Sequence, residues 1–449
     1  MSEPTTSHPR VAMIVLNAVL NDSRVLKGAW YMSDKGWDVS IFGWSGKEVV
    51  DHFDVGNAHI FRFPRPKGIR IISRYINYAR KAWIISFGHF IPSPAAVTLL
   101  PITQARTAMT QALADYEPTI LHAQDFSALP VALSAQRLIA SRTGRKVPII
   151  YDAHEFLPGQ ANIVKAIRRS LISMERSAIQ KIDSVVTVSP KIAEMLHANH
   201  KLPLLPIVVG NDPVLGASRP HASDIRKDIG LADNIPLMVY SGGVAPQRGI
   251  MDSVKSLPFL PDHHLAIMAP GENAHLKELL SVGESLGVRD RIHVLGFVAN
   301  AEVTSYLRTA DIGLIMNTHH VNHELSTPTK FSEYAHADIP IIASDVKFLA
   351  EETRRRGMGE VFISGDIQSF VEAVKKVTAD PAKYKKAYTK EFLHEKSWEA
   401  QCEKLSPLYQ ELAHAHPQSR AASEFKVGDR KEKPLDQSLA DFYRQFLSA

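Results

Sequence analysis

Side chains suited to a phosphate and to a ribose lie close together between residues 322 and 345. Thr327 followed by Pro328 predicts the start of a helix, with Thr327 as its cap and Pro328 in the first helical position. A helix start beside hydroxyl groups attracts anions, because free backbone N–H groups and the helix dipole point at the ligand. Lys330 adds a positive charge within the first turn, and Glu333 follows one turn later on the same side. The stretch therefore predicts a phosphate contact next to a carboxylate.

The Glu333 carboxylate can accept two hydrogen bonds from a ribose diol, so the stretch offers what a nucleotide diphosphate needs. The hydroxyl groups of Ser326 and Thr327 belong to the same predicted anion site. The simpler alternative is an ordinary capped helix with a surface Lys330–Glu333 pair, since capping signals occur on most helices. A second phosphate-like loop earlier in the chain favours the nucleotide-binding interpretation.

That second loop follows the predicted strand at residues 236–240. Gly242 and Gly243 let the backbone come close to a ligand, since glycine has no Cβ atom. Arg248 carries a planar guanidinium that suits phosphate oxygens. A Gly-Gly turn alone is weak evidence, but together with an arginine after a strand it indicates a phosphate-binding loop.

Polar residues also gather at the ends of predicted strands in the first half of the chain. Strands alternate with helices there, which predicts a parallel α/β sheet whose carboxyl ends face a ligand. Asp125 ends the strand at residues 119–125. His154 and Glu155 end the next strand and form the best acid–base pair of this half. The alternative for His154 is a histidine satisfied inside the domain.

The first strand-to-helix loop of such a sheet usually faces the ligand as well. It lacks glycine, so it is not a dinucleotide-binding fingerprint. The alternative is a helix cap made by one of its first two polar residues, with the arginine exposed. The polar side chains of this loop are Asn21, Asp22, Ser23 and Arg24.

Length and composition bound the class of protein. A chain of 449 residues is too long for one ordinary core, and a small polar stretch at residues 216–224 reads as a linker between two domains. A net charge of +5 without basic–aromatic repeats does not indicate nucleic-acid binding. Cys402 is the only cysteine, so neither a disulfide nor a multi-cysteine zinc site can form, and a reducing compartment fits best. We expect a cytoplasmic protein, because the N-terminus lacks the apolar core of a signal peptide.

Two further segments carry alternatives. Residues 62–87 are rich in basic and aromatic residues. From Ile69 onward the apolar positions predict a basic amphipathic helix, and the segment either contacts the inner face of a membrane peripherally or packs on its own sheet. The most apolar stretch, residues 82–101, is interrupted and falls short of the ~18 apolar residues that a membrane-spanning helix needs. His319, His320 and His323 have no regular ligand spacing, so we expect no metal there.

Several stretches resemble the retaining glycosyltransferase family 4, which has the GT-B architecture. In the second half these are YSGGVAPQRGI (240–250), HVLGFVANAEVTSYLRTADIGLI (293–315) and STPTKFSEYAHADIPIIASD (326–345). In the first half they are NDSRVLKGA (21–29), LHAQDFSALP (121–130), YDAHEF (151–156) and VVTVSPKIAEML (185–196). SWEAQCEKLSPLYQEL (397–412) resembles the closing helix of the family.

The resemblance implies an α/β fold of two Rossmann-like, doubly wound domains that face a cleft. The N-terminal acceptor domain would span residues 1–213 and the C-terminal nucleotide-sugar domain residues 214–395. A helix over 396–416, which Pro407 should kink or break, would return to the first domain. The resemblance ends near residue 416. The residues beyond it predict a polar tail over 417–449 that ends in an amphipathic helix, because residues 435–447 carry apolar side chains at helical spacing.

The resemblance also implies a role for each matching residue. Arg248 and Lys330 would hold the donor diphosphate together with Gly242 and Gly243, and Glu333 would hold the ribose. The base would be flanked by Gly296, Phe297 and Val298. The rest of the donor pocket would include Gly271, Glu272, Glu324, Ser326 and Thr327. His154 and Glu155 would face the reacting sugar or the acceptor, with the acceptor side formed by Asn21, Asp22, Ser23, Arg24 and Asp125.

One departure concerns the donor sugar. The family often carries two glutamates seven residues apart, but position 325 is a leucine, and Glu324 lies one residue earlier. Either Glu324 substitutes through a shift of the loop, or the donor-sugar contact differs.

The activity that the resemblance implies is transfer of a sugar, with retained configuration, from a nucleotide-diphosphate donor to a glycan or glycolipid acceptor. It implies no cofactor besides that donor, and a role in polysaccharide or glycolipid assembly. Two alternatives remain open, a GT-B-type sugar-nucleotide epimerase and a non-catalytic scaffold that keeps the nucleotide pocket as a sensor.

Overall fold

The fold consists of two compact units. The structure, a computed structural model, describes residues 9–20, 22–45, 50–55, 57–64, 103–160, 165–214, 221–269, 271–296, 298–299 and 302–415. The first unit takes the chain up to Val209 and again from Cys402, and the second spans Gly210–Gln401. These boundaries lie a few residues from the predicted ones at 213 and 395.

The first unit contains an eight-stranded sheet. Its strands are β1 (Arg10–Ile14), β2 (Asp38–Ser45), β3 (Asp51–Val55), β4 (Ala58–Pro64), β5 (Ile120–Gln124), β6 (Ile149–Ala153), β7 (Ser184–Thr187) and β8 (Ile207–Val208). They lie in the order β3-β4-β2-β1-β5-β6-β7-β8, and every neighbouring pair is parallel except β3 with β4.

The central strands are buried along their whole length, as parallel strands covered on both faces must be. His122 of β5 stands in register between Met13 and Ile150. Because β1, β5 and β6 are parallel, their carboxyl ends lie at one edge of the sheet, and this edge carries the loops with the predicted polar residues.

The helices of the first unit begin and end at recognisable signals. Asp22 accepts a hydrogen bond from the backbone N–H of Val25 at the start of the first helix, and Ser189 caps another in the same way. They are α1 (Ser23–Asp34), α2 (Thr103–Tyr116), α3 (Leu129–Thr143), α4 (Lys165–Ile179) and α5 (Pro190–His200).

The second unit contains a six-stranded, fully parallel sheet in the order β11-β10-β9-β12-β13-β14. Its strands are β9 (Leu237–Ser241), β10 (His264–Met268), β11 (Ile292–Leu295), β12 (Ile312–Ile315), β13 (Ile341–Ser344) and β14 (Gly359–Phe362). Its helices are α6 (Ile225–Ile229), α7 (Met251–Ser256), α8 (Ala274–Ser285), α9 (Val303–Leu307), α10 (Val321–Leu325), α11 (Lys330–His336), α12 (Lys347–Arg356), α13 (Ile367–Ala379), α14 (Pro381–Lys385) and α15 (Lys390–Glu395). Two apolar clusters fill the unit.

The C-terminal part of the described chain breaks where the sequence predicted. Helix α16 (Trp398–Glu403) ends before α17 (Ser406–Ala415) begins, and Pro407 is the second residue of α17. Tyr409 of α17 packs on the first unit, where its hydroxyl lies 2.5 Å from His122 Nδ1. The helix therefore belongs to the core of the first unit.

The α/β fold with two parallel sheets is confirmed, with two strands missed. Sequence reasoning did not find β3 or β14, which are edge strands of the two sheets. Residues 62–64 of the basic segment 62–87 belong to β4, where Arg62 pairs with Asp51 at 2.6 Å. The remainder of that segment, and the predicted terminal helix, lie outside the described residues. In the described part of the chain no helix is long and apolar enough to span a membrane.

Candidate active site

The ammonium group of Lys330 is the centre of the candidate donor site in the second unit. Lys330 is the first residue of α11 and is only 8% exposed. Its Nζ lies 3.7 Å from the centroid of the Tyr240 ring. A Cβ atom added to Gly242 would lie 3.5 Å from the same nitrogen. The cation is thus held between an aromatic face and a glycine turn at the carboxyl end of β9.

The charge of Lys330 is poorly compensated. Burial lowers the pKa of Lys330 to about 7, the positive charge of Arg248 lowers it as well, and Glu333 opposes both. Within the described ranges, no carboxylate oxygen lies within the 4.0 Å that defines an ion pair with Nζ. Its one close contact is the π-face of Tyr240, a weak partner for a full charge. An anion bound here would supply the negative charge that compensates the Lys330 ammonium.

Helix α11 holds Lys330 in place through Tyr334. The Tyr334 hydroxyl accepts a hydrogen bond from the Ser241 N–H at 3.0 Å and lies 3.2 Å from the Val239 carbonyl oxygen. The ring fits because Gly313 has no side chain, and a Cβ atom there would lie 2.4 Å from Tyr334 Cδ2. α11 is therefore fastened directly to the end of β9.

The Gly-Gly loop has the backbone geometry that glycine permits. Gly242 has φ +127°, and Gly243 is exposed, with its carbonyl oxygen accepting a hydrogen bond from the Tyr240 hydroxyl at 2.8 Å. Arg248 lies in a short 3₁₀ turn and is half-buried. Its charge adds to the lowering of the Lys330 pKa that burial causes, and it opposes the rise that burial causes in the pKa of Tyr240. Two cations and a glycine turn therefore meet at this loop.

The predicted start of α11 needs a correction. The N-cap residue is Thr329, not Thr327, and no side chain caps the helix. Ser326 is extended, and its hydroxyl donates to the Asn322 carbonyl oxygen at 3.3 Å. Glu333 is half-buried in the first turn, as expected.

Glu324 is engaged inside the unit. Its Oε1 lies 2.6 Å from His319 Nδ1, and its Oε2 accepts a hydrogen bond from the Lys347 backbone N–H at 2.6 Å. His319 Nε2 lies 3.0 Å from Asp345, and the hydrogen bond to Glu324, together with both negative charges, raises the pKa of His319. His323 instead bonds the Thr318 carbonyl oxygen. The Glu324 carboxylate thus fastens the loop that precedes α11.

The other predicted donor residues lie at the surface of the second unit. Glu272 is 80% exposed in its side chain, with Lys277 at 3.5 Å. Gly271 and Gly296 are exposed. Val298 packs against the apolar core, and Phe297 lies outside the described residues.

In the first unit, Arg24 forms a buried ion pair. Its Nε and Nη2 each donate to one oxygen of Asp152 at 2.9 Å, and Nη1 donates to the Val209 carbonyl oxygen. Arg24 is 5% exposed, so the alternative with an exposed arginine is wrong. Asp22 caps α1 and accepts from Asn17, Ser23 is the first residue of that helix, and Asn21 lies outside the described residues.

His154, Asp125 and Glu155 form a second polar cluster of this unit. His154 Nε2 lies 3.1 Å from Gln124 Oε1, and the ring is 22% exposed. Burial raises the pKa of Asp125, the charge of His154 opposes this, and Glu155 reinforces it. Asp125 also has a positive φ of +66°, which is uncommon without glycine and marks a constrained site. These three residues lie where acid–base chemistry is possible.

Comparison with known proteins agrees with this arrangement. The family profile "Glycosyl transferases group 1" matches residues 222–392, and the profile "Glycosyl transferase 4-like domain" matches residues 24–211. The chain belongs to the GT-B glycosyltransferases. A search of curated proteins finds no match.

Solved structures share the fold at low identity. Sucrose-phosphate synthase from Thermosynechococcus elongatus is 16% identical with a TM-score of 0.67, and the alignment covers 91% of this glycosyltransferase and all of the other chain. The Anabaena protein HepE, in complex with UDP and glucose, is 14% identical with a TM-score of 0.63 over 91% and 99% of the two chains. An Escherichia coli structure described as trehalose-6-phosphate bound with UDP-2-fluoro glucose is 12% identical with a TM-score of 0.63, over 90% and 98%.

Sequence reasoning about this glycosyltransferase passed over three residues that shape the two clusters. Tyr240 supplies the aromatic face for Lys330, and its position just before the Gly-Gly turn was the available signal. Asp152 is a charged residue inside a buried strand, which calls for a buried cationic partner. Gln124, at the end of β5, was seen as a polar strand end but not as a partner for His154.

The buried charge predicts that Lys330→Met stabilises the ligand-free protein in a pH-dependent manner. The folded-state pKa is about 7 and the ordinary value is 10.5, so the cost of the charge is full below pH 7 and disappears as pH rises towards 10.5. Stability at pH 6 should rise by about 2–4 kcal/mol, and the gain should shrink by pH 9.5. Chemical denaturation at both pH values measures it. The exposed Lys375→Met is the control, and an equal gain at both pH values would contradict the assignment.

The tight packing at Gly249, which follows Arg248, can be tested with a matched pair of substitutions. Gly249 and Gly287 have similar φ values of +67° and +64°, but a Cβ atom at Gly249 would lie 2.0 Å from the Met316 carbonyl oxygen, while Gly287 has open space. Gly287→Ala should cost about 1–2 kcal/mol from backbone strain alone. Gly249→Ala should cost at least about 2 kcal/mol more, as a larger fall in Tm. Equal falls in Tm for the two variants would show that the backbone at Met316 moves away from the added Cβ atom at no measurable cost.

Proposed function

We propose that this glycosyltransferase moves a sugar from a nucleotide-diphosphate donor to a glycan or glycolipid acceptor with retained configuration. Arg248 and Lys330 hold the diphosphate in this proposal, and Glu333 binds the ribose. The observation that carries it is the buried Lys330 ammonium, which has no carboxylate at ion-pair distance in the described part of the chain and faces a glycine turn. A site with this charge is costly unless an anion binds to it.

The chemistry explains why two cations are needed. Cleavage of the bond between the sugar and the diphosphate leaves extra negative charge on the diphosphate oxygens. Lys330 and Arg248 stabilise that charge from fixed positions, and the turn at Gly242 allows the backbone to approach. Because these side chains neutralise the phosphates, the proposal requires no metal for the transfer.

The acceptor side of the proposal rests on the first unit. His154, Glu155 and Asp125 lie at the carboxyl ends of β5 and β6, with Gln124 holding the His154 ring. We assign them to the acceptor hydroxyl or the reacting sugar. The buried Arg24–Asp152 pair lies next to this cluster, with Asp152 Oδ2 at 4.0 Å from His154 Nε2. In the proposal the pair holds the cluster in position and does not contact the substrate. Retention is testable from the anomeric configuration of the product by NMR.

The related structures suggest which donor base to test first. HepE was solved with UDP and glucose, and another related structure with UDP-2-fluoro glucose. UDP and its sugar conjugates are therefore the first donors to test by thermal unfolding, with GDP and ADP as comparisons. Saturation at about 100 times the dissociation constant adds about 2.7 kcal/mol of stability.

A non-catalytic nucleotide-sugar sensor is the second candidate. The engagement of Glu324 with His319 and Lys347, and the leucine at position 325, favour it, because the usual donor-sugar carboxylate is then missing. Donor binding without turnover, over a panel of acceptors, would support the sensor. Conversion of the donor sugar without any acceptor would instead indicate an epimerase.

Arg248→Ala and Lys330→Ala should each lower the transfer rate by about 10²–10³-fold, since each removes a fixed charge on the leaving group. Steady-state rates with a UDP-sugar measure this. Arg354→Ala and Lys375→Ala, which alter exposed residues of the same unit, serve as matched controls. Full activity in both site variants would contradict the proposed role of the two cations.

Donor affinity should also depend on pH through Lys330. The amine must be charged to bind a diphosphate, so affinity should fall as pH rises above about 7, by up to tenfold per pH unit. A nucleotide-sugar is the right probe, because its diphosphate does not itself titrate in this range. Lys330→Arg keeps its charge throughout and should show no such fall in isothermal titration. A fall of the same size in both proteins would show that the charge of Lys330 does not cause the pH dependence of donor affinity.

A further inference from the structure

Three metal-ligand side chains converge on the edge hairpin of the first unit, and none of them belongs to the clusters described above. His52 and Asp54 lie two residues apart on β3 and so point to the same face. His59 of β4 is the direct register partner of Asp54. Their nearest ligand atoms, one from each side chain, all lie within 4.8 Å of one another.

Two of the three distances between these atoms compare well with those of a tetrahedral metal site. Asp54 Oδ1 lies 3.3 Å from His52 Nε2 and 2.7 Å from His59 Nδ1. Four ligands at about 2.0–2.1 Å from Zn²⁺ lie about 3.3 Å from one another. The His52–Asp54 spacing therefore fits, the His59–Asp54 distance is about 0.6 Å shorter, and the two ring nitrogens lie within 4.8 Å of each other.

An ordinary cross-strand hydrogen bond explains only part of this arrangement. It accounts for the contact of His59 with Asp54. His52 Nε2 is shielded from solvent and lies 3.3 Å from Asp54 Oδ1, but it makes no well-aligned hydrogen bond within the described residues. The His52 ring is stacked on Phe61, with centroids 4.7 Å apart and planes at 15°, which fixes its direction. A shielded ring nitrogen this close to a carboxylate, without an aligned hydrogen bond, is placed as a metal ligand would be.

We propose that His52, Asp54 and His59 bind one divalent transition-metal ion, with Zn²⁺ the expected ion. Two imidazole nitrogens and one carboxylate oxygen favour Zn²⁺, Co²⁺, Ni²⁺ or Cu²⁺ over Mg²⁺ and Ca²⁺. Three protein ligands leave a fourth position for water.

The position of the site indicates its purpose. His59 lies near the amino end of β4, whose far end at Pro64 is about 16 Å away at ~3.3 Å per residue. Ligands of parallel α/β sheets bind at the carboxyl ends, so this ion takes no part in sugar transfer. It instead clamps β3 to β4, the antiparallel pair at the edge of the sheet. An edge strand with unpaired backbone groups gains most from such a clamp.

Isothermal titration of the untagged, chelator-treated full-length protein with ZnCl₂ tests the proposal. We expect one saturable equivalent that His59→Gln removes, with at least a 100-fold loss of affinity, because loss of a merely supporting residue already costs about 10–100-fold. Asp54→Asn should weaken binding in the same direction. Co²⁺ bound to the wild type should give the visible absorption of a four- or five-coordinate ion, and His59→Gln should abolish it.

His319→Gln is the matched control, because His319, like His59, contacts a carboxylate. It contacts two carboxylates, each through a different ring nitrogen, so the two carboxylates cannot share one ion with it. His319→Gln should leave the Zn²⁺ equivalent unchanged. Circular dichroism without metal, and a Zn²⁺-induced rise in Tm that wild type shows and His59→Gln lacks, separate loss of binding from loss of folding. The proposal is overturned if no stoichiometric binding occurs, if folded His59→Gln binds like wild type, or if His319→Gln abolishes binding equally.

Discussion

The burial of one unpaired cation determines how the second unit is built. Lys330 is placed against Tyr240 and Gly242 because α11 is fastened to β9 through Tyr334. That attachment in turn requires glycine at position 313, where any side chain would collide with the tyrosine ring. The packing of α11 on β9 thus offsets the free-energy cost of burying the Lys330 charge. A position selected only for stability would not carry a lysine.

The first unit shows the contrasting solution for a buried cation. Arg24 is as deeply buried as Lys330, but both Asp152 oxygens and a backbone carbonyl satisfy its guanidinium. The pKa of Asp152 is lowered in spite of burial, because Arg24 and two histidines stabilise its charge. A cation with all its hydrogen bonds inside the protein has little left to offer a ligand. This difference in pairing, rather than burial itself, separates a structural cation from a binding one.

Much of the fold followed from the sequence, for a physical reason. Strands of parallel sheets are buried on both faces, so they appear as unbroken apolar runs, and β13 was predicted with its observed ends. Strand β3 was missed because its Asp51, His52 and Asp54 suit an edge and lack that pattern. The closeness of Gly242 and Lys330 was predictable because each depends on its own residue type and its local turn, and their role in donor binding stays a prediction.

The residues that were misjudged depend on distant partners. Arg24 looked like an exposed loop residue because Asp152, its partner, is separated from it by more than a hundred positions. Thr327 looked like a cap, but the chain stays extended at Ser326, and the Pro328 carbonyl accepts the Phe331 N–H before the helix begins. Local signals cannot show which of several adjacent hydroxyl residues the tertiary structure will place at the cap.

The loop before α11 leads to a specific conclusion about the donor sugar. Glu324 cannot serve as a free sugar contact while its two oxygens bond His319 and the start of α12. His319 in turn bridges to Asp345 at the end of β13, so releasing Glu324 would leave a raised-pKa histidine with one partner fewer. The energetic cost makes the observed pairing the resting arrangement of this loop. In the proposed function, a donor-sugar hydroxyl near Gly242 would then meet backbone N–H donors instead of the Glu324 carboxylate, and selectivity for the sugar would depend on backbone geometry.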